Sequence, residues 1–201
     1  MSGKEDWISG KAIEDSAESP TLMFLSPIKI RRLGQLERMT TLSVWKLGTD
    51  ADALFFSSVW GSVGTQLKLN TMYAEGGELT PALFSHSVFN SPVAEATILL
   101  SSHMPYSAIY PGKNDVIRTL MDVSRAAIES GKRDSVIAIY AEEYMPLEYR
   151  SCVKEEDLMK PMCIAVKLEK GDGTKIPDYA LHSPSSLSKY LVGNEADKWV
   201  F

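Results

Sequence analysis

Two short, uninterrupted apolar runs and the amphipathic stripe between them constrain the fold of this chain most. The runs are residues 52–58 (DALFFSS) and residues 135–141 (SVIAIYA), and each is typical of a strand buried on both faces. Between them, one face of a predicted helix collects Val116, Ile117, Leu120, Ser124, Ala127 and Ile128. The order strand, helix, strand predicts right-handed crossovers, and therefore an α/β fold with a mostly parallel sheet covered by helices.

Three further segments complete the predicted organisation. Residues 28–47 have apolar side chains near helical spacing and predict a helix from about Arg31, whereas residues 162–168 (MCIAVKL) predict another strand. The glycines of residues 171–173 (GDG) predict a turn, and the polar stretch from residue 183 indicates a surface arm. With 201 residues, 44% of them hydrophobic, we expect one domain over residues 1–201, with a core of about 25–170 and a C-terminal arm of about 171–201.

Charge and hydropathy exclude several classes of function. The net charge of −5 disfavours a nucleic-acid surface, which would need a basic stripe to neutralise phosphates. No apolar run approaches the roughly 18 residues of a membrane span. The first ten residues (MSGKEDWISG) lack the apolar stretch of a signal peptide. We therefore expect a cytoplasmic protein without a membrane span.

The two cysteines, Cys152 and Cys163, predict neither a disulfide framework nor a metal site. Cys152 lies in a charged stretch and Cys163 in the apolar run 162–168. Neither has a neighbouring histidine that would activate it, so we interpret both as small structural side chains.

Several segments occur in an order that resembles the N-terminal half of β-ketoacyl synthases, the condensing enzymes of fatty-acid and polyketide assembly. They are residues 30–42 with the pair Arg31–Arg32, residues 54–61 (LFFSSVWG), residues 79–81 (LTP), residues 84–90 (FSHSVFN) and residues 116–141. Within that family, the chain is most similar to short chain-length-factor-like subunits of aryl-polyene and other type II polyketide or fatty-acid gene clusters. The resemblance implies one half of a thiolase-like fold.

The resemblance also implies that the chemistry of the family is missing. A condensing enzyme carries its acyl chain on a cysteine at a helix N-terminus, where the helix dipole lowers the thiol pKa. On the family pattern that position falls on Lys113 or Asn114, and neither side chain forms a thioester. The two basic residues that assist decarboxylation lie in the other half of the fold. We therefore expect a non-catalytic subunit that needs no metal or cofactor of its own.

By resemblance, two segments would meet a partner. The side chains at the dimer interface and acyl tunnel would be Leu83, Phe84, Ser87, Val88 and Phe89. The strand that pairs across the dimer axis would comprise Tyr106, Ser107, Ala108, Ile109 and Tyr110. The expected partners are an active ketosynthase, forming a heterodimer, and an acyl carrier protein whose phosphopantetheine bears the acyl chain.

Other interpretations stay open at this stage. His86 between Ser85 and Ser87 is compatible with a degenerate acyltransferase or hydrolase, although no orienting acid is evident in the sequence. A homodimeric scaffold that binds acyl chains is a third possibility. The pair Arg31–Arg32 would attract an acidic carrier protein, or it is only the solvated start of a helix.

Overall fold

The computed structural model describes residues 6–14, 19–170 and 176–193, with side chains from residue 19 onward. Its five strands are β1 (Asp6–Glu14), β2 (Leu54–Ser57), β3 (Tyr106–Ile109), β4 (Ser135–Glu142) and β5 (Met162–Lys170). Its α-helices are α1 (Pro27–Ile30), α2 (Gln35–Leu47), α3 (Val63–Ala74), α4 (Pro81–Ser85), α5 (Ser91–Leu99), α6 (Val116–Glu129), α7 (Leu147–Arg150) and α8 (Pro184–Gly193). Two 3₁₀ helices cover Glu155–Asp157 and Asp178–His182.

The strands form one sheet in the order β1-β5-β4-β2-β3. β2 pairs in parallel with both β3 and β4, so the parallel crossovers predicted around α6 are confirmed. β5 extends the sheet by antiparallel pairing with β4, and β1 follows antiparallel to β5. Strands β4, β2 and β3 are therefore parallel to one another, and β5 and β1 extend the sheet beyond β4 by antiparallel pairing.

Alternation along β4 divides the core between the two faces of the sheet. Val136, Ala138 and Tyr140 pack in a cluster with α6 and α8, whereas Ile137 and Ile139 pack in a cluster with α2 and α5. Both sets are fully or almost fully buried. A strand buried on both faces reads as one continuous apolar run, which is why the sequence identified β4 so clearly.

The elements with strong apolar patterns were predicted correctly. α6 and α2 are confirmed, the latter after a break at residues 31–34, and β2, β4 and β5 lie where the apolar runs predicted them. β1, α3 and α5 were not predicted from the sequence. The predicted turn at residues 171–173 lies outside the described residues.

The C-terminal segment differs from the predicted surface arm. Ala180, Leu181, Leu187 and Leu191 are at most 4% exposed and belong to the core cluster that contains α6. Their spacing buries one side of the 3₁₀ turn and of α8, and the polar residues between them face solvent, so the composition alone suggested an arm. Residues 194–201, including the aromatic end of the predicted arm, lie outside the described part of the chain.

Within the described ranges, none of the helices is both long and apolar enough to cross a membrane.

Candidate functional site

The segment linking α4 to α5 presents apolar side chains to solvent. Thr80 caps α4, its side chain accepting a hydrogen bond from the Leu83 backbone at 3.2 Å. Phe84 is 61% exposed and Val88 is 36% exposed. Of the predicted interface residues, Leu83 and Ser87 are half-buried. We call Leu83, Phe84, Ser87 and Val88 the rim, since these side chains lie at the surface instead of filling the core.

Phe89 points the other way and anchors this rim. Its ring packs edge to face against Phe56, at a centroid distance of 5.8 Å, and against Tyr110, at 5.9 Å. Gly61 lies beside it with φ +60°, and a Cβ there would be 3.2 Å from the Phe89 ring. A larger side chain at position 61 would be strained by the positive φ and would also push against the Phe89 ring. The ring contacts bring the predicted interface segment next to the end of the predicted dimer strand.

The predicted dimer strand is an edge strand with a free side. β3 pairs with β2 alone among the described strands. Tyr106 is 39% exposed, Tyr110 is 62% exposed, and Ser107 is also exposed, whereas Ala108 and Ile109 are half-buried. An uncovered edge offers a row of unpaired N–H and C=O groups to another chain.

The position expected to hold a nucleophile lies at the N-terminal end of α6. Lys113 and Asn114 precede the helix, which begins at Val116. The Lys113 ammonium forms an ion pair with Asp157 at 2.6 Å and also donates to the Glu156 carbonyl. These contacts direct the Lys113 side chain toward the 3₁₀ helix at Glu155–Asp157.

The two cysteines lie elsewhere in the fold. Cys163 is buried within β5, where its sulfur is 3.2 Å from the Ser43 hydroxyl. Cys152 is exposed after α7. Neither belongs to the loop that leads into α6, so the thiol chemistry of a condensing enzyme has no residue at the expected position.

Ser85, His86 and Ser87 do not assemble as a nucleophile and base. Each serine hydroxyl donates at 2.8 Å to a carbonyl of its own turn, Ser85 to Ala82 and Ser87 to Phe84. Catalysis by a serine needs a hydrogen bond from its hydroxyl to the base, and both hydroxyls are engaged with backbone instead.

Acids that the sequence analysis missed do face His86. Its Nδ1 lies 3.9 Å from Glu37 Oε1 and 4.0 Å from Glu95 Oε1. Glu37 is 1% exposed, and the Ser91 hydroxyl lies 3.2 Å from the same Oε1 atom. Burial raises the pKa of the Glu37 carboxyl, while the charge of His86 opposes that rise. His86 Nδ1 therefore lies close to carboxylates from α2 and α5 beneath the exposed rim, but it is buried without a hydrogen-bond partner among the described residues.

Two more acids lie at the end of β4, the fully buried Glu142 and the half-buried Glu143. Glu142 is fully buried and accepts hydrogen bonds from the backbone N–H groups of Val59 and Trp60, while Glu143 accepts from Gly64 at 2.7 Å. Desolvation raises the pKa of Glu142 and of Glu143 to about 7. We call Glu37, Glu142 and Glu143, of which the first two are fully buried and the third half-buried, the buried acid cluster.

The buried acid cluster fixes the loop that supports the rim. Glu142 and Glu143 bind the backbone of residues 59–64, and the Ser62 hydroxyl lies 3.3 Å from that of Ser91. The signal in the sequence was two consecutive carboxylates directly after the apolar run 135–141. The described residues contain no group of three or more His, Cys, Asp or Glu side chains arranged to hold a metal ion. The cluster is therefore best understood as a positioning network.

Comparison with known proteins matches most of the chain to one family. Residues 4–196 match the model of the family described as "Beta-ketoacyl synthase, N-terminal domain". No curated protein matches the chain closely enough to count as a relative.

Solved structures share the fold at low sequence identity. A ketosynthase in complex with its chain length factor from Xenorhabdus doucetiae matches with a TM-score of 0.68 and 23% identity, over 79% of this chain and 67% of that one. The ishigamide ketosynthase/chain length factor matches with a TM-score of 0.66 and 11% identity, over 87% and 64% respectively. A β-ketoacyl synthase from Burkholderia phymatum STM815 matches with a TM-score of 0.58 and 14% identity, over 84% and 59%. The chain thus has the thiolase-like fold of ketosynthases and spans about two thirds of the length of these structures, or less.

Proposed function

Because the chain belongs to the family of β-ketoacyl synthase N-terminal domains, we propose that it is a non-catalytic, chain-length-factor-like subunit of a β-ketoacyl-ACP synthase complex. Its partner would be an active, cysteine-bearing ketosynthase that elongates polyene, polyketide or fatty-acid chains on an acyl carrier protein. The acyl chain would then be carried by the phosphopantetheine of that carrier protein, and this subunit would need no cofactor. Two of the similar structures bear the name chain length factor, which supports this role.

The observation that carries the proposal is the open edge of β3 beside exposed aromatic side chains. Tyr106 on the strand and Tyr110 directly after it are exposed beside the unpaired backbone groups of the edge. A partner strand laid along this edge would satisfy those groups and cover the aromatics. The ketosynthase is therefore proposed to bind here in a pseudo-symmetric heterodimer.

Lys113 supports the absence of a condensation step on this chain. An acyl thioester needs a thiolate at the N-terminus of α6, and Lys113 there is already engaged by Asp157. The rim side chains would instead act on the partner by limiting the depth of its acyl tunnel, because an acyl chain lengthens only while apolar space remains.

The test is reconstitution with the candidate ketosynthase. We expect the two proteins to co-purify, and we expect intact mass spectrometry after incubation with acyl carrier protein to find the acyl adduct on the ketosynthase alone. An acyl adduct on this chain would contradict the non-catalytic role, and failure to bind any ketosynthase from its own gene neighbourhood would contradict the heterodimer.

The hydrolase alternative is less well supported by the geometry. Glu37 and Glu95 do supply acids near His86, but the hydroxyls of Ser85 and Ser87 are bonded to backbone carbonyls. An adduct on either serine after treatment with an activated phosphonate ester would be needed to revive it.

A further inference from the structure

The segment of residues 23–32, far in sequence from β3, has both apolar and basic side chains exposed to solvent. Met23 is 90% exposed and Ile28 is 72% exposed, and Lys29, Arg31 and Arg32 on the same segment are exposed as well. We call these five residues the basic–apolar surface. Apolar side chains exposed as a group beside cations mark association sites, whereas scattered ones do not.

Contacts at both ends hold this segment along α2. Near one end, the Phe24 ring stacks on Trp45 with a centroid distance of 4.5 Å and an interplanar angle of 6°. Near the other, the Arg38 guanidinium donates to the carbonyls of Leu33 at 3.1 Å and Ile30 at 3.2 Å. These contacts with side chains of α2 therefore hold the segment that bears the basic–apolar surface in place.

The charge of this region is opposite to that of the whole chain. Residues 20–49 contain five basic side chains and a single acidic one, Glu37, which is buried, although the net charge of the protein is −5. A local positive field on an acidic protein attracts an anionic partner and also orients the protein, because its remaining surface is repelled. The partner of this surface is therefore anionic.

We propose that the basic–apolar surface binds peripherally to an anionic phospholipid bilayer. Met23 and Ile28 protrude from the surface, and protruding apolar side chains suit a deformable medium that closes around them, whereas a protein partner would need matching sockets. Lys29, Arg31 and Arg32 would contact the phosphate headgroups at the same time.

Trp45 adds to the match with a bilayer. It is 51% exposed and its ring lies flat against Phe24, so the aromatic pair borders the protruding apolar residues. Tryptophan is enriched at the level of lipid headgroups because one end of its ring is apolar and the other can hydrogen-bond. The segment and its support on α2 therefore combine exposed apolar, aromatic and cationic side chains.

The proposal is independent of the heterodimer, and vesicle co-sedimentation of the full chain tests it. We expect binding to vesicles of mixed phosphatidylglycerol and phosphatidylcholine, little binding to phosphatidylcholine alone, and loss of binding in high salt. Arg31→Glu/Arg32→Glu should weaken the partition coefficient about tenfold or more. Met23→Ser/Ile28→Ser, which keeps every charge, should weaken it as well.

A matched control reverses two exposed charges elsewhere, Lys132→Glu/Lys160→Glu, and should bind vesicles as the wild type does. Equal thermal stability of all variants would exclude unfolding as the cause. The proposal is overturned if the wild type ignores anionic vesicles, or if the control loses as much binding as Arg31→Glu/Arg32→Glu. It is equally overturned if the same variants abolish binding to an acidic carrier protein while vesicles bind none of them.

Discussion

At the scale of single residues, the buried acid cluster makes the stability of the protein depend on pH. The ordinary glutamate pKa is 4.5, and burial raises the pKa of Glu142 and of Glu143 to about 7. The folded state therefore binds these protons more tightly than the unfolded state does. The corresponding stability is present in full below about pH 4.5, declines as the pH rises toward 7, and is lost above it.

Replacing Glu142 by glutamine should flatten this decline. We expect the wild-type free energy of unfolding to fall by about 2 to 4 kcal/mol between pH 5 and pH 8, with a smaller fall for Glu142→Gln. The variant should also be less stable at both pH values, because the amide nitrogen cannot accept the hydrogen bond of Val59 or Trp60. Urea titrations at the two pH values measure both effects. Glu129→Gln, at an exposed position, is the control, and an unchanged slope in Glu142→Gln would contradict the argument.

Two phenylalanines of the same segment should respond differently to truncation. Phe84→Ala should change the stability of the free chain by less than about 0.5 kcal/mol, because the ring is 61% exposed. Phe89→Ala should cost about 2 to 4 kcal/mol, because it removes the packing against Phe56 and Tyr110. Denaturation of the free chain measures both values, and equal losses would contradict the proposed orientation of the rim.

In the complex, Phe84→Ala tests whether the rim limits the depth of the partner's acyl tunnel. If the rim limits acyl length, Phe84→Ala should leave the heterodimer assembled and lengthen the products, which size-exclusion chromatography and product mass analysis detect together. Unchanged products from an intact complex would reduce the role of the rim to stabilisation.

At the scale of elements, the sequence predicted what had a strong local pattern and missed what depends on distant partners. α6 was recognisable because its apolar residues recur with the helical period, and β4 because a strand buried on both faces is one continuous apolar run. β1 (DWISGKAIE) has a weak pattern interrupted by glycine, and its strand is defined by pairing with β5 at the other end of the chain. The acid cluster was missed for the same reason, since Glu37 and Glu143 meet only in the fold.

The open edge of β3 can be tested with proline, because only alternate residues face it. The Leu54 N–H donates to the Pro105 carbonyl, so Ser107 is the next residue to bond β2, and the backbone groups of Ala108 face outward. Ala108→Pro should therefore keep the free chain folded and abolish pairing with the ketosynthase, since proline is tolerated where an edge N–H is unpaired. Ser107→Pro is the matched control and should destabilise the free chain itself. Circular dichroism and pull-down separate the two, and a heterodimer that survives Ala108→Pro would contradict strand pairing.

At the scale of the whole molecule, both faces of the sheet are covered, and β1 and β3 are the two edge strands of the described sheet. α6 with α8 and α2 with α5 close the two faces, so the chain has its own core, to which the C-terminal helix contributes Leu187 and Leu191. The β3 edge lies beside the exposed side chains of Tyr106 and Tyr110. We therefore propose that the ketosynthase binds at the β3 edge, and not at an uncovered face of the sheet.

A native partner should raise the thermal stability of the chain, and the rise should grow with the logarithm of the partner's concentration once it exceeds Kd. Binding to the folded state alone adds RT ln(1 + [L]/Kd), or about 2.7 kcal/mol at a hundredfold excess over Kd. For a chain of 201 residues, each kcal/mol shifts Tm by about 2 to 4 °C, so an upward shift of about 5 to 10 °C is expected. Scanning fluorimetry over a series of ketosynthase concentrations measures it. Ala108→Pro should show no shift while keeping its own Tm, and a wild-type Tm that ignores the ketosynthase would mean that the open edge is not its binding site.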